Sequence, residues 1–368
     1  MAPAPKHINL ALQGGGAHGA FTWGVVDRLL EDDRVAIQAV TGASAGAMNA
    51  VVLADGLATG CKKEARAKLR AFWEGVADAA ATSPFRRTPL DVWRGVWNLD
   101  SSPGYIMFDL MSRLASPYDV NPMKLNPLRD LVARLVDFDR VRAAPLHVFV
   151  SATNVETGRP KVFHRPELTP DHVMASACLP FMYQAVEIDG VPYWDGGYMG
   201  NPPLWPLFDH SDCDDVVIVE INPVSRAGAP RTAREIMDRL NEITFNASLM
   251  RELRAIDFVT RLMEDGRLEG TGYRRVLVHA IADEASLSPL GASSKLNAEP
   301  AFLAMLFDKG RGAADRWLST KLADVGQRST LDLRAMFGAE DDPLDGGRID
   351  RAAAYKDKPK RTKARDPA

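Results

Sequence analysis

An α/β fold is what this 368-residue sequence predicts, and three observations carry it. Residues 8–12 form a short apolar strand that empties into a glycine-rich turn and then a helical pattern. Residues 35–40 form a second, β-branched strand that turns through Gly42-Ala43-Ser44-Ala45-Gly46 into an apolar helix. A hydrophobic share of 46% over this length can bury a large core, in one big α/β domain or two smaller ones.

Composition excludes several classes. A formal charge of −3 argues against nucleic acid as the main partner. Cys61, Cys178 and Cys213 stand at scattered spacings that give neither a disulfide framework nor a metal-ligand pattern, so no metal and a reducing compartment are expected. Residues 1–7 lead directly into the first strand without the apolar run of a signal peptide. No segment reaches the ~18 apolar residues of a membrane span. The expectation is a cytoplasmic protein, soluble or peripheral to a membrane.

Taken in order, the first strand meets Gln13-Gly14-Gly15-Gly16-Ala17-His18-Gly19, and Phe21, Val25, Val26, Leu29 and Leu30 then recur at helical spacing. Gly14, Gly16 and Gly19 satisfy G-x-G-x-x-G, the dinucleotide fingerprint. That fingerprint wants an acidic residue at the end of the second strand, where this chain has Gly42-Ala43-Ser44. The loop therefore reads as a row of bare N–H groups that face Ser44 and can hold a developing oxyanion. A cofactor loop is the alternative. G-x-S-x-G between strand and helix is the pattern of a nucleophile elbow. Gly42 and Gly46 let the turn close, and the small Ala43 and Ala45 leave the Ser44 hydroxyl uncovered.

A basic helical run follows at 62–76, reading as an outer helix. Residues 81–137 are irregular and proline-rich, with Phe85, Trp93, Trp97, Tyr105, Met107, Phe108, Met111 and Met123 scattered through them. Two readings are open for this insertion: a small core of its own, or a cap whose apolar lining takes an acyl chain. Strands are predicted at 146–153 and 161–164, which makes His147 and His164 packed or surface residues. A short helix ends at Pro180, and Cys178 within it is read as inert.

Asp189-Gly190 marks a hairpin turn. Asp195-Gly196-Gly197 follows too closely to turn the same hairpin, so the second D-G pair needs another explanation. Residues 216–221 form a buried strand, and 231–262 a long amphipathic helix with Ile236, Leu240, Ile243, Ala247, Met250 and Leu253 on the face read as core. Its arginine-rich opposite face reads as solvated, with attraction to anionic lipid as the alternative. A strand at 274–281, a helix at 302–322 and a charged, disordered tail from about 338 complete the expectation.

Three motifs in this order, Gly14-Gly15-Gly16-Ala17-His18-Gly19, Gly42-Ala43-Ser44-Ala45-Gly46 and Asp195-Gly196-Gly197, resemble those of the patatin-like phospholipases. The segment 175–180, the hairpin at Ile188-Asp189-Gly190 and Asn201-Pro202 fit as well. The resemblance implies a three-layer α/β/α sandwich around a mostly parallel sheet, with the catalytic domain at 8–208, the cap insertion at about 81–137, and 209–337 packed on the same domain as C-terminal strands and helices. It implies lipid acyl-ester hydrolysis without a cofactor. Ser44 corresponds to the nucleophile, Asp195 to the proton acceptor, and Gly14, Gly15 and Gly16 to the oxyanion loop. His18, Gly19, Gly42, Gly46, Gly196 and Gly197 belong to the supporting motifs. The family usually carries Arg or Lys where this chain has His18, and a histidine supplies that charge only when protonated.

Such a pair works without an intervening histidine. An aspartate with a pKa near 4 is a weak base for a serine hydroxyl, so burial beside Tyr193 and Trp194 is expected to raise it. Oxyanion donors worth about 3–4 kcal/mol each would carry much of the stabilisation. The rivals are a Ser–Asp–His triad that recruits His210 or His279, a nucleotide-binding regulatory domain, and a catalytically dead lipid-binding member.

Overall fold

Strand β1 (Lys6–Leu12) occupies an interior position of the sheet in a computed structural model that describes residues 4–337. The charged tail expected from 338 onward lies outside the described residues. Two units are distinguished: one ends at Leu331, and the described part of the other holds a five-residue helix, Leu333–Phe337.

Beside β1 lies β2 (Val35–Ala43), and beside β2 lies β3 (His147–Asn154); all three are parallel. β4 (Pro160–His164), β5 (Val186–Ile188) and β6 (Val191–Asp195) form the antiparallel part. β7 (Asp215–Val219) and β8 (Leu277–Ile281) extend the parallel part on the far side of β1. Hydrogen-bonded neighbours run β5-β6-β3-β2-β1-β7-β8, with β4 paired to β3. The result is a mixed, mostly parallel sheet with helices on both sides, as expected of a three-layer α/β/α sandwich. Asp189 (φ 52°) and Gly190 (φ 77°) turn the β5–β6 hairpin. Two left-handed residues in succession match the twist of paired strands.

One register matters for chemistry. β3 pairs with β2 up to Ala43↔Ser151, and with β6 from Ala152↔Asp195. The strand that ends in Asp195 therefore takes up the pairing of β3 one residue beyond the strand that ends at the elbow. Sheet topology alone brings residues 44 and 195 to one edge.

Helix α1 (Gly19–Glu31) buries Phe21, Val25, Val26 and Leu29, as their spacing predicts. In α2 (Ala45–Leu57) every residue from Ala45 to Gly56 is buried. A helix apolar all round belongs inside, and each of Val51, Val52 and Leu53 contributes about 1.5–3 kcal/mol by burial. Its one carboxylate, Asp55, is neutralised by Lys68 of α3 (Lys62–Ala79) and by Arg140 at 2.9 Å.

Residues 81–137 fold into short helices: α4 (Pro89–Arg94), α5 (Pro103–Met111), α6 (Pro117–Val120) and α7 (Pro127–Leu135). Each begins at a proline, which suits a first helical turn because its missing N–H has no partner there. The segment does not enclose a core of its own. Phe85 and Phe108 meet edge to face at 5.4 Å, and Trp97 stacks on Phe302 at 5.2 Å, but Trp93, Met107, Met111 and Met123 are exposed. α5 buries no residue at all.

α8 (Phe138–Ala143), α9 (Pro170–Ser176) and α10 (Trp205–His210) are short. α11 (Ala233–Glu264) starts at a Thr232–Glu235 capping box. It corrects one expectation. Ile236, Leu240 and Ile243, read above as core-facing, are exposed, while Glu242, Phe245, Asn246, Leu249, Leu253 and Ile256 face inward. The reason is a polar interior. Glu242 meets Arg226 at 2.5 Å and Asn246 meets Gln13 at 3.1 Å, so the helix turns its hydrogen-bonding stripe to the sheet edge. α12 (Glu284–Leu287) and α13 (Pro300–Thr320) follow, and α13 packs along α1.

Candidate active site

Ser44 sits at the sharp bend between β2 and α2 with φ 53° and ψ −122°. A non-glycine residue held in this region stores strain, as nucleophile elbows do. The bend is pinned from two sides. The Ser44 N–H donates to Ser176 Oγ at 2.9 Å, and Gly46 lies so close to β1 that a Cβ there would come within 2.2 Å of the Leu12 carbonyl oxygen.

Asp195 ends β6 and is fully buried. Its N–H donates to the Cys178 carbonyl at 2.8 Å, and its own carbonyl accepts from Thr153 Oγ1 at 2.8 Å. Carboxylate Oδ1 accepts the Gly197 N–H at 2.7 Å. Oδ2 makes no hydrogen bond of regular geometry, yet the Ser44 hydroxyl lies near enough to favour the ionised carboxylate. Burial pushes the Asp195 pKa up to about 6, against the opposing pull of the Gly197 N–H, the Ser44 hydroxyl and Lys295. The glycines of Asp195-Gly196-Gly197 are a packing requirement rather than a second hairpin turn. A Cβ at 196 would meet the Ser151 carbonyl oxygen at 2.1 Å, and one at 197 the Phe245 ring at 2.4 Å.

The glycine loop crosses directly over the elbow. A Cβ on Gly14 would fall 2.7 Å from Ser44 Cβ. The Gly14 N–H is already taken, donating to Asn201 Oδ1 at 2.6 Å, while its carbonyl accepts from Asn222 Nδ2 at 2.8 Å. Gln13 Oε1 in turn accepts the N–H groups of Ile221 and Asn222 at 2.9 and 3.0 Å. With Asn246, whose Oδ1 accepts from Gln13 Nε2 at 3.1 Å, side chains from three later segments thus hold the loop. The N–H groups of Gly15 and Gly16 have no partner among the described residues. Gly16 has φ +57°, and the Lys295 carbonyl oxygen stands where its Cβ would go, at 2.4 Å.

His18 is buried and does not supply a positive charge. Burial first, and Lys295 second, depress its pKa to about 3, against a weak pull from the Ile221 carbonyl. The Ser294 hydroxyl gives its hydrogen to the Gly291 carbonyl at 2.8 Å, so its 2.8 Å bond with His18 is donated by Nε2. Gly19 lets α1 approach α2, its Cα side lying against Ala45 and Trp73, and Gly42 lies against Gly46.

The histidines of the rival triad are elsewhere. His210 stacks on Phe149 at 5.6 Å, and His279 bonds Asp215 at 2.9 Å and Thr330 at 3.0 Å. Neither has a bond to Ser44 or Asp195. Among the described residues no group of three or more His, Cys, Asp and Glu side chains is arranged to hold a metal. Gln13, Ser176, Asn222, Asn246 and Lys295 join the site without any local signal, because they converge from separate segments. Asn201 was visible only as part of Asn201-Pro202.

A serine on a strand–helix elbow, a buried carboxylate beside it and a glycine loop across both define a hydrolase-type α/β protein. The chain belongs to the patatin-like phospholipase family, whose model matches residues 10–208. Membership supports a lipid acyl hydrolase activity. Among solved structures the chain is similar to VipD from Legionella pneumophila, at 16% identity and TM-score 0.43, covering 86% of this chain and 67% of that one. It is also similar to ExoU in its complex with SpcU, from the type III secretion system of Pseudomonas aeruginosa, at 16% identity and TM-score 0.34. That match covers 87% of this chain and 52% of ExoU, so the chain spans about half of ExoU's length. No curated protein matches.

Proposed function

We propose that this protein hydrolyses carboxylic esters of phospholipids or related lipids through an acyl-enzyme on Ser44, with Asp195 as the only general base. Ser44 Oγ attacks the ester carbonyl carbon while its proton passes to Asp195 Oδ2. The oxyanion accepts from the Gly15 and Gly16 N–H groups, since that of Gly14 is held by Asn201. Collapse of the tetrahedral intermediate expels the alcohol, which takes the proton back from Asp195. Water, deprotonated by the same carboxylate, then attacks the acyl-Ser44 ester; the fatty acid leaves and Asp195 returns the proton to Ser44 Oγ.

The observation that carries this reading is the buried Asp195, with one oxygen fixed by Gly197 and the other open toward Ser44. A pKa near 6 makes it a far better base than an exposed aspartate while leaving it mostly ionised at neutral pH. No helix among the described residues is long and apolar enough to cross a membrane. Action in the cytoplasm is proposed from the scattered spacing of Cys61, Cys178 and Cys213.

The test is a panel of short-chain esters and phospholipids given to the wild type, Ser44→Ala and Asp195→Asn. Loss of turnover by about 10³-fold or more in both variants is expected. Equal turnover by all three removes both roles, and loss on replacing His210 or His279 by Gln would restore the triad.

A further inference from the structure

We infer that Lys295 is a positioning residue of this active site: its ammonium, seated behind the oxyanion loop, holds Asp195 in its ionised, proton-accepting form. This rests on the proposed roles of Ser44 and Asp195 and adds a group that no sequence motif marks.

The geometry is built from both sides. The Lys295 backbone closes on the glycine loop, its carbonyl oxygen filling the place of a side chain on Gly16. The ammonium donates to Asn241 Oδ1 at 3.0 Å and stands 5.2 Å from the centre of the Phe245 ring. The edge of that same ring touches Gly197, whose N–H binds Asp195 Oδ1. One aromatic side chain therefore separates the cation from the turn that carries the base. A cation over a ring face is attracted by the ring quadrupole, so Phe245 is a seat for the ammonium as well as a spacer.

Beside the Gly197 amide and the Ser44 hydroxyl, Lys295 is the charged residue that acts on Asp195. Around the aspartate stand the Ser44 hydroxyl, the Gly197 amide, and Cys178 and Tyr198, both held neutral by burial with pKa values pushed up to about 12. Lys295 is the one cation whose field reaches the carboxylate among the described residues. Around the lysine stand Asp238 and Glu242 of α11, Arg226 paired to Glu242, and His18, which is neutral. The acids keep the ammonium protonated against a burial that brings its pKa down to about 8. The neutral imidazole at position 18 leaves the cationic role at the loop to a side chain nearly three hundred residues away in sequence.

The sign follows directly. A cation favours the ionised carboxylate, so removing it raises the pH at which Asp195 gains its proton. Activity that needs the ionised base then falls away at higher pH. The experiment reads hydrolysis of an uncharged short-chain ester, and labelling of Ser44 by a fluorophosphonate, between pH 4.5 and 8. Wild type, Lys295→Met and Lys295→Arg are compared, each checked for folding by thermal denaturation. The expected result is an acid limb displaced upward by about half a unit or more in Lys295→Met, and restored in Lys295→Arg. Asn241→Ala, a substitution that suits a helix interior, withdraws the hydrogen bond from the ammonium and moves the limb the same way by less. A folded Lys295→Met or Asn241→Ala enzyme with an unmoved limb overturns the inference and leaves the roles of Ser44 and Asp195 intact. A wild type that neither hydrolyses esters nor accepts the label overturns those roles, and this inference with them.

Discussion

The elbow and the proline-rich insertion at 81–137, the expected cap, treat apolar residues in opposite ways. From Ala45 to Gly56 nothing reaches solvent, and the β1 and β2 residues beside it are nearly as deeply buried. Between Pro89 and Leu125, by contrast, Leu90, Val92, Trp93, Ile106, Met107, Leu110, Leu114, Tyr118, Val120 and Met123 are all exposed, Trp93 by 81%. Composition does not separate the two regions, because both are rich in large apolar side chains. What differs is the partner. The elbow's partners are strands and helices of the same chain, which must hold a strained serine in place. The apolar side chains of the insertion are left uncovered by the rest of the described residues; one exposed apolar side chain is ordinary, and ten within one short segment are not.

The deepest break in this contrast comes at the elbow. Ser44→Ala removes the proposed nucleophile without disturbing a packed side chain, so turnover is expected to drop by about 10³-fold or more on soluble and aggregated substrates alike. Initial rates on both substrate forms check this. Unequal losses would mean that the two forms are not turned over at one site.

The cost of holding a carboxylate in that dry region is the next effect. The folded pKa of Asp195, about 6, lies above its unfolded value near 3.8. Its contribution to stability is therefore full below about pH 4 and lost as pH rises through 6. Asp195→Asn keeps the acceptor for the Gly197 N–H and removes the charge. The variant is expected to be more stable than wild type by up to about 3 kcal/mol at pH 8, and the difference to vanish near pH 4. Urea denaturation at the two pH values measures it, and a variant less stable than wild type at pH 8 would contradict the assigned burial cost.

Legibility followed the same boundary between local and distant partners. The elbow, the glycine loop and the hairpin before Asp195 were readable because each is a short-range solution to a backbone problem, written in adjacent residues. Asp195-Gly196-Gly197 was readable as anomalous, and Gly196 against Ser151 gives the reason. The α11 face was misread because periodicity reports that a helix is amphipathic, not which side meets the protein. Here buried Glu242 and Asn246 answer to Arg226 and Gln13, partners that no window of sequence contains. Likewise nothing near Lys295 in sequence announces that its carbonyl abuts Gly16. The methionines and Trp93 of the insertion left two readings open, a small core of their own or an apolar lining for an acyl chain, because their irregular spacing names no face; their exposure counts against the first.

Asn201 tests how far the glycine loop depends on a side chain distant in sequence. Its Oδ1 holds the Gly14 N–H at 2.6 Å and is buried. Asn201→Ala leaves that donor unpaired beside Ser44 and frees the loop. A fall in kcat of about 10²-fold is expected, comparable to the loss of one oxyanion contact, with KM for a short-chain ester nearly unchanged. Steady-state kinetics separate the two constants, and a rise in KM with an intact kcat would show that Asn201 shapes binding instead.

The smallest effect is the most discriminating between the two regions. The insertion is tied to two distant segments. Tyr118 accepts from the Ala185 N–H at 3.3 Å, Gln184 donates to the Asn121 carbonyl at 2.9 Å, and Ser293, two residues from Lys295, donates to Asp100 at 2.6 Å. An apolar face anchored there suits contact with the surface that carries a lipid substrate, since burying a few such side chains in a bilayer interface is favourable by about 25 cal/mol per Å². Trp93→Asp, Met107→Ser and Leu110→Ser together change only exposed positions, so folding is expected to be unaffected. Hydrolysis of phospholipid vesicles is expected to fall about 10-fold, while a soluble short-chain ester is turned over at the wild-type rate, because the loss lies in reaching the surface and not in the chemistry. Equal losses on both substrates would tie the cap to the site itself. Wild-type rates on both would leave the exposed apolar face without a role in meeting lipid, and the contrast between the two regions would then be one of packing alone.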